Sequence, residues 1–253
     1  MPITLAQICR YPVKGLNAER LARVHLTPGE ALPQDRRFAI AHGSAVLAGG
    51  KPEQMPNSSF FTLLRDERLA LLRISFDEAS GDLAISRAGK RVVHAKATEP
   101  LGRTLIEQFL AGFLGDATRG APKLLEAPGH SFTDAREKCL SLINLASVHD
   151  LERVVRQPID PLRFRANLYI EGAPAWSEFD WAGTEIEIGG AHLRVTRPID
   201  RGAATNVDPE TAARDMNIPL ALKRGFGHVA MGVYAEVVSG GEIATGDRIA
   251  APV

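Results

Sequence analysis

The sequence predicts a mainly β protein with a few helices, an α+β chain arranged as two β-barrel domains. Two observations favour this class. Short segments that alternate apolar and polar residues recur at roughly ten-residue spacing, and Gly, Pro and Asp turn signals separate them. The chain has 253 residues, of which 45% are hydrophobic and 24% are charged. That length and balance are enough for two domains with buried cores.

The first part of the chain is predicted to form strands. The opening strand runs into a loop at Pro12, and a Pro-Gly turn at residues 28–29 separates the next two strands. A surface loop rich in Gly, Pro and Ser follows over residues 43–59. The remaining strands of this part are predicted in "RRFAIAH", "FTLLRDERLALLRISFD" and "GDLAISRAGKRVVHAKA".

Helices are predicted at three places. Residues 101–115 and 146–157 repeat apolar side chains at helical spacing, and the second run stops directly before a proline. One or two short helices are predicted within residues 209–227, around Pro219.

The last third of the chain is predicted to return to strands. The segment "GGEIATGDRI" near its end is typical of a closing β-hairpin. We therefore divide the chain into an N-terminal β-barrel domain, residues 1–95, and a second β-barrel domain, residues 96–253, which begins with the helical crossing.

Composition excludes several classes of function. Lysine and arginine number 30, as do aspartate and glutamate, so the formal net charge is zero. Such a chain does not attract nucleic acid or a membrane surface, and a bound anion must be held by a local cluster of basic residues. The start lacks a signal-peptide pattern and no apolar stretch could span a bilayer, which predicts a soluble cytoplasmic protein. HExxH, GxSxG, GxGxxG and P-loop motifs are missing, which leaves the corresponding enzyme classes without support.

Two basic residues occur near predicted strand ends. Lys14 in "YPVKGL" follows Pro12 and fits a phosphate contact, although a solvated surface lysine has the same pattern. In "DRRF", strand alternation places Arg36 on the face of Phe38 and turns Asp35 away from it. Arg36 then needs either an external anion or a carboxylate from elsewhere in the fold.

A third basic spot lies in "DPLRFRANLYI", which is predicted to be a strand. Alternation places Arg163, Arg165 and Asn167 on one face. Two guanidinium groups and an amide suit oxyanions and the edges of a polar heterocycle. The alternative is an edge strand whose charged side chains prevent it from pairing with another strand.

The loop "RPIDRGAATNVDPET" combines Arg201 with small residues that begin at Gly202, so its backbone can approach a ligand closely. Thr205 adds a hydroxyl group, and Asp208 is placed to cap a helix that begins at Pro209. A plain strand-to-helix loop with an Asp cap is the alternative.

A series of ordered motifs resembles the MOSC family (molybdenum cofactor sulfurase C-terminal domain) together with its N-terminal β-barrel companion. The resemblance covers nearly the whole chain. The motifs are "YPVKGL", "DRRFAI", "SLINLASV", "RFRANLYIEG", "RGAATNVDPET" and "GEIATGDRI". The resemblance implies the two-domain MOSC β-barrel architecture, with a molybdenum–molybdopterin cofactor in a cleft between the domains.

The resemblance also implies roles for individual residues. Lys14 and Arg36 would hold the cofactor phosphate, and Arg165 and Asn167 would meet the pterin edges. The "SLINLAS" segment would add small polar contacts from Ser141, Asn144 and Ser147. We therefore expect Lys14, Arg36 and Arg165 to face a common centre.

The chain departs from the family at one position. The family loop typically reads Arg-Cys before Thr-x-Val-Asp-Pro, and that cysteine thiolate binds molybdenum. The matching pair here is Arg201 and Gly202, and glycine supplies no metal ligand. The resemblance places Arg201 against the cofactor and, with Thr205, on the substrate side. Cys9 and Cys139 are predicted to be buried, reduced thiols that match no ligand position, and we expect neither to reach the cleft.

Three functions stay open at this point. The first is an oxidoreductase that reduces N-hydroxylated substrates with electrons from a separate donor protein, with turnover altered or weakened by Gly202. The second is a non-catalytic protein that binds, stores or delivers the molybdenum cofactor, or binds another phosphorylated heterocycle. The third is an interaction module whose pocket has lost its ligand. No nucleic acid or membrane partner is expected.

Overall fold

The computed structural model describes residues 2–252, which form a mostly β chain with four α-helices and fifteen strands. This confirms the predicted fold class. The strands are β1 (Thr4–Arg10), β2 (Glu19–Leu21), β3 (Arg23–Leu26), β4 (Phe38–Ala41), β5 (Leu72–Phe76), β6 (Asp82–Arg87), β7 (Lys90–Lys96), β8 (Lys123–Glu126), β9 (Leu140–Asn144), β10 (Leu168–Glu171), β11 (Glu185–Ile188), β12 (Ala191–Asp200), β13 (Ala230–Ser239), β14 (Gly241–Ala244) and β15 (Ile249–Ala250). The helices are α1 (Gly43–Leu47), α2 (Pro100–Leu114), α3 (Leu145–Val155) and α4 (Ile218–Phe226).

The main sheet has eight strands in the order β15-β11-β12-β13-β9-β10-β1-β2. All neighbouring pairs are antiparallel except β9 and β10, which are parallel. Strand β9 is central and every one of its residues is buried, as its apolar sequence LSLIN requires of a strand covered on both faces. The sheet curls, because Thr4 of β1 forms a bridge with Arg248 beside β15.

The strand pairing shows that the predicted hairpin was wrong, and it leaves the predicted domain division untested. The predicted hairpin in "GGEIATGDRI" is wrong: β14 pairs with β3 and β15 pairs with β11, so the two strands do not pair with each other. Strands β1 and β2 also belong to the main sheet, whose other strands all come from the second half of the chain. The division near residue 95 therefore does not follow the strand pairing, and it stays a prediction.

The three-stranded sheet β5-β6-β7 packs with α2 around a separate hydrophobic core. Helix α2 buries Ile106, Leu110 and Leu114, which recur every four residues on one face. The helix ends at Gly115, whose φ of +52° is readily adopted without a side chain. The predicted helix over residues 101–115 is confirmed.

Helix α3 confirms the second predicted helix. Its first turn is capped by the Asn144 side chain, which accepts a hydrogen bond from the Ala146 amide at 3.1 Å. The helix expected to begin at Pro209 is absent from the described residues, where the Asp208 side chain caps only a turn. Ala212 adopts a left-handed φ of +63°, which ends the turn before a helix can propagate.

The main sheet holds its own core, which includes Leu142, Leu168 and Val233 from its three central strands. Gly232 of β13 adopts a φ of +73°, and a Cβ there would lie 2.3 Å from the Leu142 carbonyl oxygen. A side chain at that position would push β13 away from β9. Within residues 2–252 no helix has the length and apolar character needed to cross a membrane.

Candidate functional site

A cleft of about 420 Å³ lies where the segments that follow β1, β4 and β8 meet one end of the main sheet. Segments from all parts of the chain line it: the loop after β1, residues 57–65, residues 132–135, the start of β9, residues 163–167 and residues 199–205. Lys14, Arg36 and Arg165 all line this cleft, so the structure brings together the three cations that were expected to share a centre.

The cleft is strongly basic although the whole chain is neutral. Six basic and two acidic side chains line it: Lys14, Arg36, Arg65, Arg163, Arg165 and Arg201 against Asp134 and Asp200. A local excess of positive charge in a concave site concentrates anions there. The arrangement is therefore suited to a small anionic ligand.

Lys14 is buried and already has partners. Its Nζ donates to the Phe132 carbonyl oxygen at 2.8 Å and to Asp134 Oδ1 at 2.7 Å. Burial lowers the pKa of Lys14, and the Asp134 carboxylate opposes that effect. Asp134 also accepts a hydrogen bond from Asn57 Nδ2 at 2.9 Å. An anion that binds Lys14 must compete with this carboxylate.

Arg36 is paired within the protein. Its Nη1 donates to Asp35 Oδ2 at 2.5 Å, and its Nη2 donates to the Arg165 carbonyl oxygen at 2.7 Å. Burial lowers its pKa, but Asp35 more than compensates and the pKa ends above its ordinary value. The expectation that Asp35 points away was wrong. Arg36 has a left-handed φ of +47° and lies outside β4, so strand alternation does not apply to it.

Arg165 has no counter-ion among residues 2–252. Its Nη2 is buried and has no hydrogen-bond partner within residues 2–252, and none of the ion pairs found there includes it. Burial lowers the pKa of Arg165 to about 10, and the nearby Arg36 lowers it too. A buried cationic donor without a partner is costly, so this group favours an anionic ligand in the cleft.

The segment that carries Arg165 is not the predicted strand. Pro161–Phe164 form a short 3₁₀ helix, and Arg165 follows with a left-handed φ of +52°. Arg163 and Arg165 therefore do not share a strand face, although both line the cleft. Arg163 is ion-paired with Asp208 at 3.0 Å and Asp215 at 2.8 Å.

Ser141 and Asn167 form a polar wall of the cleft. Asn167 Oδ1 accepts hydrogen bonds from the Ser141 amide and hydroxyl, both at 3.1 Å, and its Nδ2 donates to the Cys9 carbonyl oxygen at 3.3 Å. The Asn167 amide group is thus used mainly to join β9, β1 and the start of β10. Tyr234 of β13, which pairs with Ser141, lines the cleft beside them.

Asn144 and Ser147 lie elsewhere. Both are buried, do not line the cleft, and donate to Glu178: Ser147 Oγ at 2.8 and 2.9 Å, and Asn144 Nδ2 at 3.1 Å. The reason is the direction of the chain, which leaves the cleft after Ser141 as β9 runs into α3. The structure therefore does not bring these two residues together with the other predicted site residues, because their polar groups satisfy a buried carboxyl.

The loop at Gly202 is held by its neighbours. Arg201 donates to the Met231 carbonyl oxygen from Nε at 2.9 Å and Nη2 at 2.7 Å, and from Nη1 to the Phe164 carbonyl oxygen at 2.8 Å. Burial lowers its pKa to about 10. Thr205 Oγ1 donates to the Gly202 carbonyl oxygen at 2.8 Å. Arg201 and Thr205 both line the cleft and fix the backbone that presents Gly202.

Gly202 itself is unstrained and open. Its φ is −98° and its ψ is 177°, values that any residue adopts. A Cβ built at this position has no described atom within 4 Å. The glycine is therefore not required by the backbone, and the space beside it can accept a side chain.

Residues 2–252 contain no group of three or more His, Cys, Asp or Glu side chains placed to hold a metal ion. Contrary to expectation, Cys139 does line the cleft, whereas Cys9 does not; both are buried and free, as predicted. Burial raises the pKa of the Cys139 thiol to about 12, so it stays protonated at neutral pH. The cleft fits an anionic ligand, but at Gly202 it offers no metal ligand.

Sequence reasoning missed two residues that line the cleft, Asp134 and Tyr234, and one that lies beneath it, Tyr11. Asp134 pairs with Lys14 from a loop 120 residues further along the chain, a contact that no local pattern marks. Tyr11 lies below two of the arginines, and its place directly before "PVKG" was the available signal. Tyr234 belongs to an apolar strand, and only the pairing of β13 with β9 brings it to the site.

The comparisons with known proteins agree with this picture. The chain matches the family described as MOSC domain over residues 128–250 and the one described as MOSC N-terminal beta barrel domain over residues 2–115. It is 28% identical over 85 residues to mitochondrial amidoxime-reducing component 1 of Mus musculus, a match that covers 34% of this chain and 24% of that protein. The matched part thus spans about a quarter of the relative's length.

Solved structures give weaker matches. The YuaD protein of Bacillus subtilis aligns over 98% of this chain and 94% of its own length, with 13% identity and a TM-score of 0.46. YiiM of Geobacillus stearothermophilus aligns over 45% of this chain and 54% of its own length, with 17% identity and a TM-score of 0.37.

Proposed function

The chain belongs to the MOSC family, with a MOSC domain behind a MOSC N-terminal beta barrel domain, and from this membership we propose that its basic cleft binds the molybdenum cofactor. The observation that carries the proposal is Arg165, a half-buried cation in the cleft with a buried, unpartnered Nη2 and no counter-ion. The cofactor is a phosphorylated pterin, whose phosphate supplies the missing anion. When bound, it supplies the two-electron redox chemistry that the side chains lack.

The residues of the cleft have different roles in binding the cofactor. Arg165 donates to the anionic group, since its Nη2 is free. Lys14 also binds the anion once its Nζ is released from the Asp134 carboxylate. Arg36, which is neutralised by Asp35, mainly holds the Arg165 backbone in place. The wall formed by Ser141 and Asn167 borders the space for the heterocycle.

For the reaction, we propose the reduction of N-hydroxylated substrates with electrons from a separate donor protein. The support is the similarity to a relative named as an amidoxime-reducing component. In this chain Arg201 and Thr205 shape the loop on the substrate side through their hydrogen bonds to main-chain carbonyl groups. Because Gly202 offers no thiolate, we expect turnover to be weak in the natural chain.

A second candidate is a non-catalytic protein that binds, stores or delivers the cofactor. Gly202 favours it, because the cleft keeps its basic residues while that position offers no side-chain atom that could bind a metal. The two candidates share the anion site and differ in whether the bound pterin retains its metal.

The content of the purified protein separates the candidates. The chain is produced in cells that make the cofactor, and molybdenum and pterin are measured per chain. Molybdenum and pterin near one per chain, with reduction of an amidoxime by an artificial electron donor, support the enzyme. Pterin without stoichiometric molybdenum supports the binding protein. A chain that carries neither contradicts both candidates.

Gly202→Cys is the sharper test of the reaction. The backbone is unstrained and the space beside it is open, so the variant should fold with an unchanged melting temperature. We expect more molybdenum per chain than in the natural protein, and at least a tenfold gain in amidoxime reduction, a barrier change of about 1.4 kcal/mol. Gly202→Ala adds a side chain without sulfur and is the matched control. Equal activity of the two variants at full cofactor loading would count against the reaction.

A further inference from the structure

The Arg165 guanidinium poses a physical problem. Its Nη2 is buried, no carboxylate within residues 2–252 forms an ion pair with it, and Arg36, another cation, lies close by. The neighbouring basic side chains have partners: Lys14 has Asp134, Arg36 has Asp35, Arg163 has two aspartates, and Arg201 donates to main-chain carbonyl oxygens. Something other than a counter-ion must hold the Arg165 side chain in the protein without ligand.

The aromatic ring of Tyr11 lies directly against this guanidinium. The Arg165 Cζ atom is 4.4 Å from the ring centroid, and the Arg36 Cζ atom is 4.3 Å from the same centroid. Both distances are well inside the range of about 6 Å in which a cation is attracted to an aromatic ring. Burial raises the pKa of the Tyr11 hydroxyl to about 12, so the ring stays neutral at physiological pH.

Tyr11 is itself fixed from several sides. Its amide donates to Asp35 Oδ1 at 2.8 Å, and its carbonyl oxygen accepts from the Arg36 amide at 2.7 Å. Its hydroxyl lies 3.4 Å from the Tyr169 hydroxyl, which accepts from the Ala166 amide at 3.1 Å. The ring thus has a defined position relative to Arg36 and to the Ala166 backbone, which directly follows Arg165.

We propose that Tyr11 is the positioning residue of the anion site, whose ring takes the place of a counter-ion and holds the Arg165 guanidinium in its binding position. A carboxylate would neutralise Arg165 and use its N–H groups, which point outward in the guanidinium plane. An aromatic face stabilises the cation and leaves those N–H groups free. This arrangement explains how Arg165 is retained in a buried place while its Nη2 has no partner.

The inference rests on the proposed function, since it gives Tyr11 a part in holding the anion. The test uses inorganic pyrophosphate as the probe and titration calorimetry of the whole chain as the measurement. Tyr11→Phe keeps the ring and loses only the hydroxyl, so we expect an affinity within about twofold of the natural protein. Tyr11→Leu removes the ring, and we expect an affinity about tenfold lower. This factor lies within the range of free energies that cation–π contacts contribute, from exposed pairs to desolvated ones.

A double-mutant cycle separates positioning from general destabilisation. In the Arg165→Ala background, Tyr11→Leu should leave the remaining pyrophosphate affinity unchanged, because the ring acts through Arg165. A merely structural role would lower the affinity by a similar factor in both backgrounds, and that result overturns the proposal.

Fluorinated phenylalanines at position 11 give a test that can still be carried out if Tyr11→Leu does not fold. Successive fluorine atoms weaken the negative face of the ring with little change in its shape. We expect pyrophosphate affinity to fall stepwise from phenylalanine to the trifluoro form. A flat series, with pyrophosphate still bound, overturns the role of Tyr11 and leaves the anion site standing. No binding by the natural protein overturns both.

Discussion

At the scale of single residues, the cleft shows how a neutral chain builds a cationic site. Each buried basic side chain is satisfied in a different way: Lys14 by a carboxylate and a carbonyl group, Arg201 by carbonyl groups alone, and Arg165 by an aromatic face. Arg165 keeps its buried Nη2 free and has no counter-ion, whereas Arg163, whose buried Nε is also without a partner, is ion-paired with two aspartates. The strength of the site therefore depends on which cation has no internal partner more than on how many cations are present.

Arg165→Ala should weaken retention of the cofactor. The variant removes a buried donor on a cation that has no counter-ion, and contacts between charged groups of this kind contribute about 1.5–3 kcal/mol. We expect pterin per chain after gel filtration to fall by about tenfold or more. Arg153→Ala, at an arginine whose side chain is 82% exposed, is the control and should retain the cofactor. If the two variants retain pterin equally, Arg165 is not part of the site.

Glu178→Gln should change how stability depends on pH. Glu178 is fully buried and accepts hydrogen bonds from Ser147 and Asn144, and burial raises its pKa. The folded state therefore holds this proton more tightly than the unfolded state does, and stability falls as pH rises from about 4.5 through the folded pKa. The glutamine variant should gain melting temperature relative to the natural protein on going from pH 5 to pH 8.

The exposed Glu185→Gln is the matched control for this measurement, because its carboxylate lies in a surface ion pair. It should shift the melting temperature equally at both pH values. A Glu178→Gln profile parallel to that of the natural protein would show that the buried carboxyl does not titrate in this range.

At the scale of elements, the local pattern of the sequence was sufficient for helices and insufficient for strand partners. Helices α2 and α3 could be predicted because their apolar spacing and their ends are encoded within the helices themselves. The pairing of β14 with β3 joins residues more than 200 positions apart, which no local pattern specifies. The strand predicted around Arg165 failed because its left-handed backbone conformation is not encoded by alternation.

The site shows the same limit. The resemblance to a family predicted that Lys14, Arg36 and Arg165 would share a centre, and all three line the cleft. It could not predict that Asp134 pairs with Lys14, or that Asn144 turns toward Glu178, because these contacts depend on how the loops pack. Residue types in a motif predict the chemistry of a site better than they predict its internal partners.

The loop between β8 and β9 carries Asp134 and leads to a further prediction. Asp134 is paired with Lys14 although its own side chain is 72% exposed, so the loop holds a carboxylate where a ligand anion could bind. Asp134→Asn removes that competing charge and should raise the affinity for pyrophosphate about threefold to tenfold, measured by calorimetry. Glu137→Gln, in the same loop but paired with Arg197, is the control. Equal affinities of the two variants would mean that Lys14 does not take part in binding.

At the scale of the whole molecule, the cleft joins the core around β5-β6-β7 and α2 to the main sheet. Its lining includes Leu63, which belongs to that core, and Ser141 and Tyr234, which belong to strands of the main sheet. A ligand that contacts both sides binds only when both are folded. Binding should therefore stabilise the chain as one unit.

This predicts a single, ligand-dependent unfolding transition. At a pyrophosphate concentration 100 times the dissociation constant, the stabilisation is about 2.7 kcal/mol. For a chain of this size that raises the melting temperature by roughly 5–10 °C. Scanning calorimetry measures it, with Arg165→Ala as the control that should show a much smaller shift. If the ligand split the transition into two, it would be stabilising only one of the cores.

The open space beside Gly202 has a consequence for how this protein can change over time. The backbone there is relaxed and no neighbour depends on the missing side chain. Stability therefore exerts no selection on the identity of this residue, and a sulfur atom can be lost or regained by substitution without rebuilding the scaffold. If this position takes part in the proposed reaction, related chains can differ in catalytic capacity there while they remain equally stable.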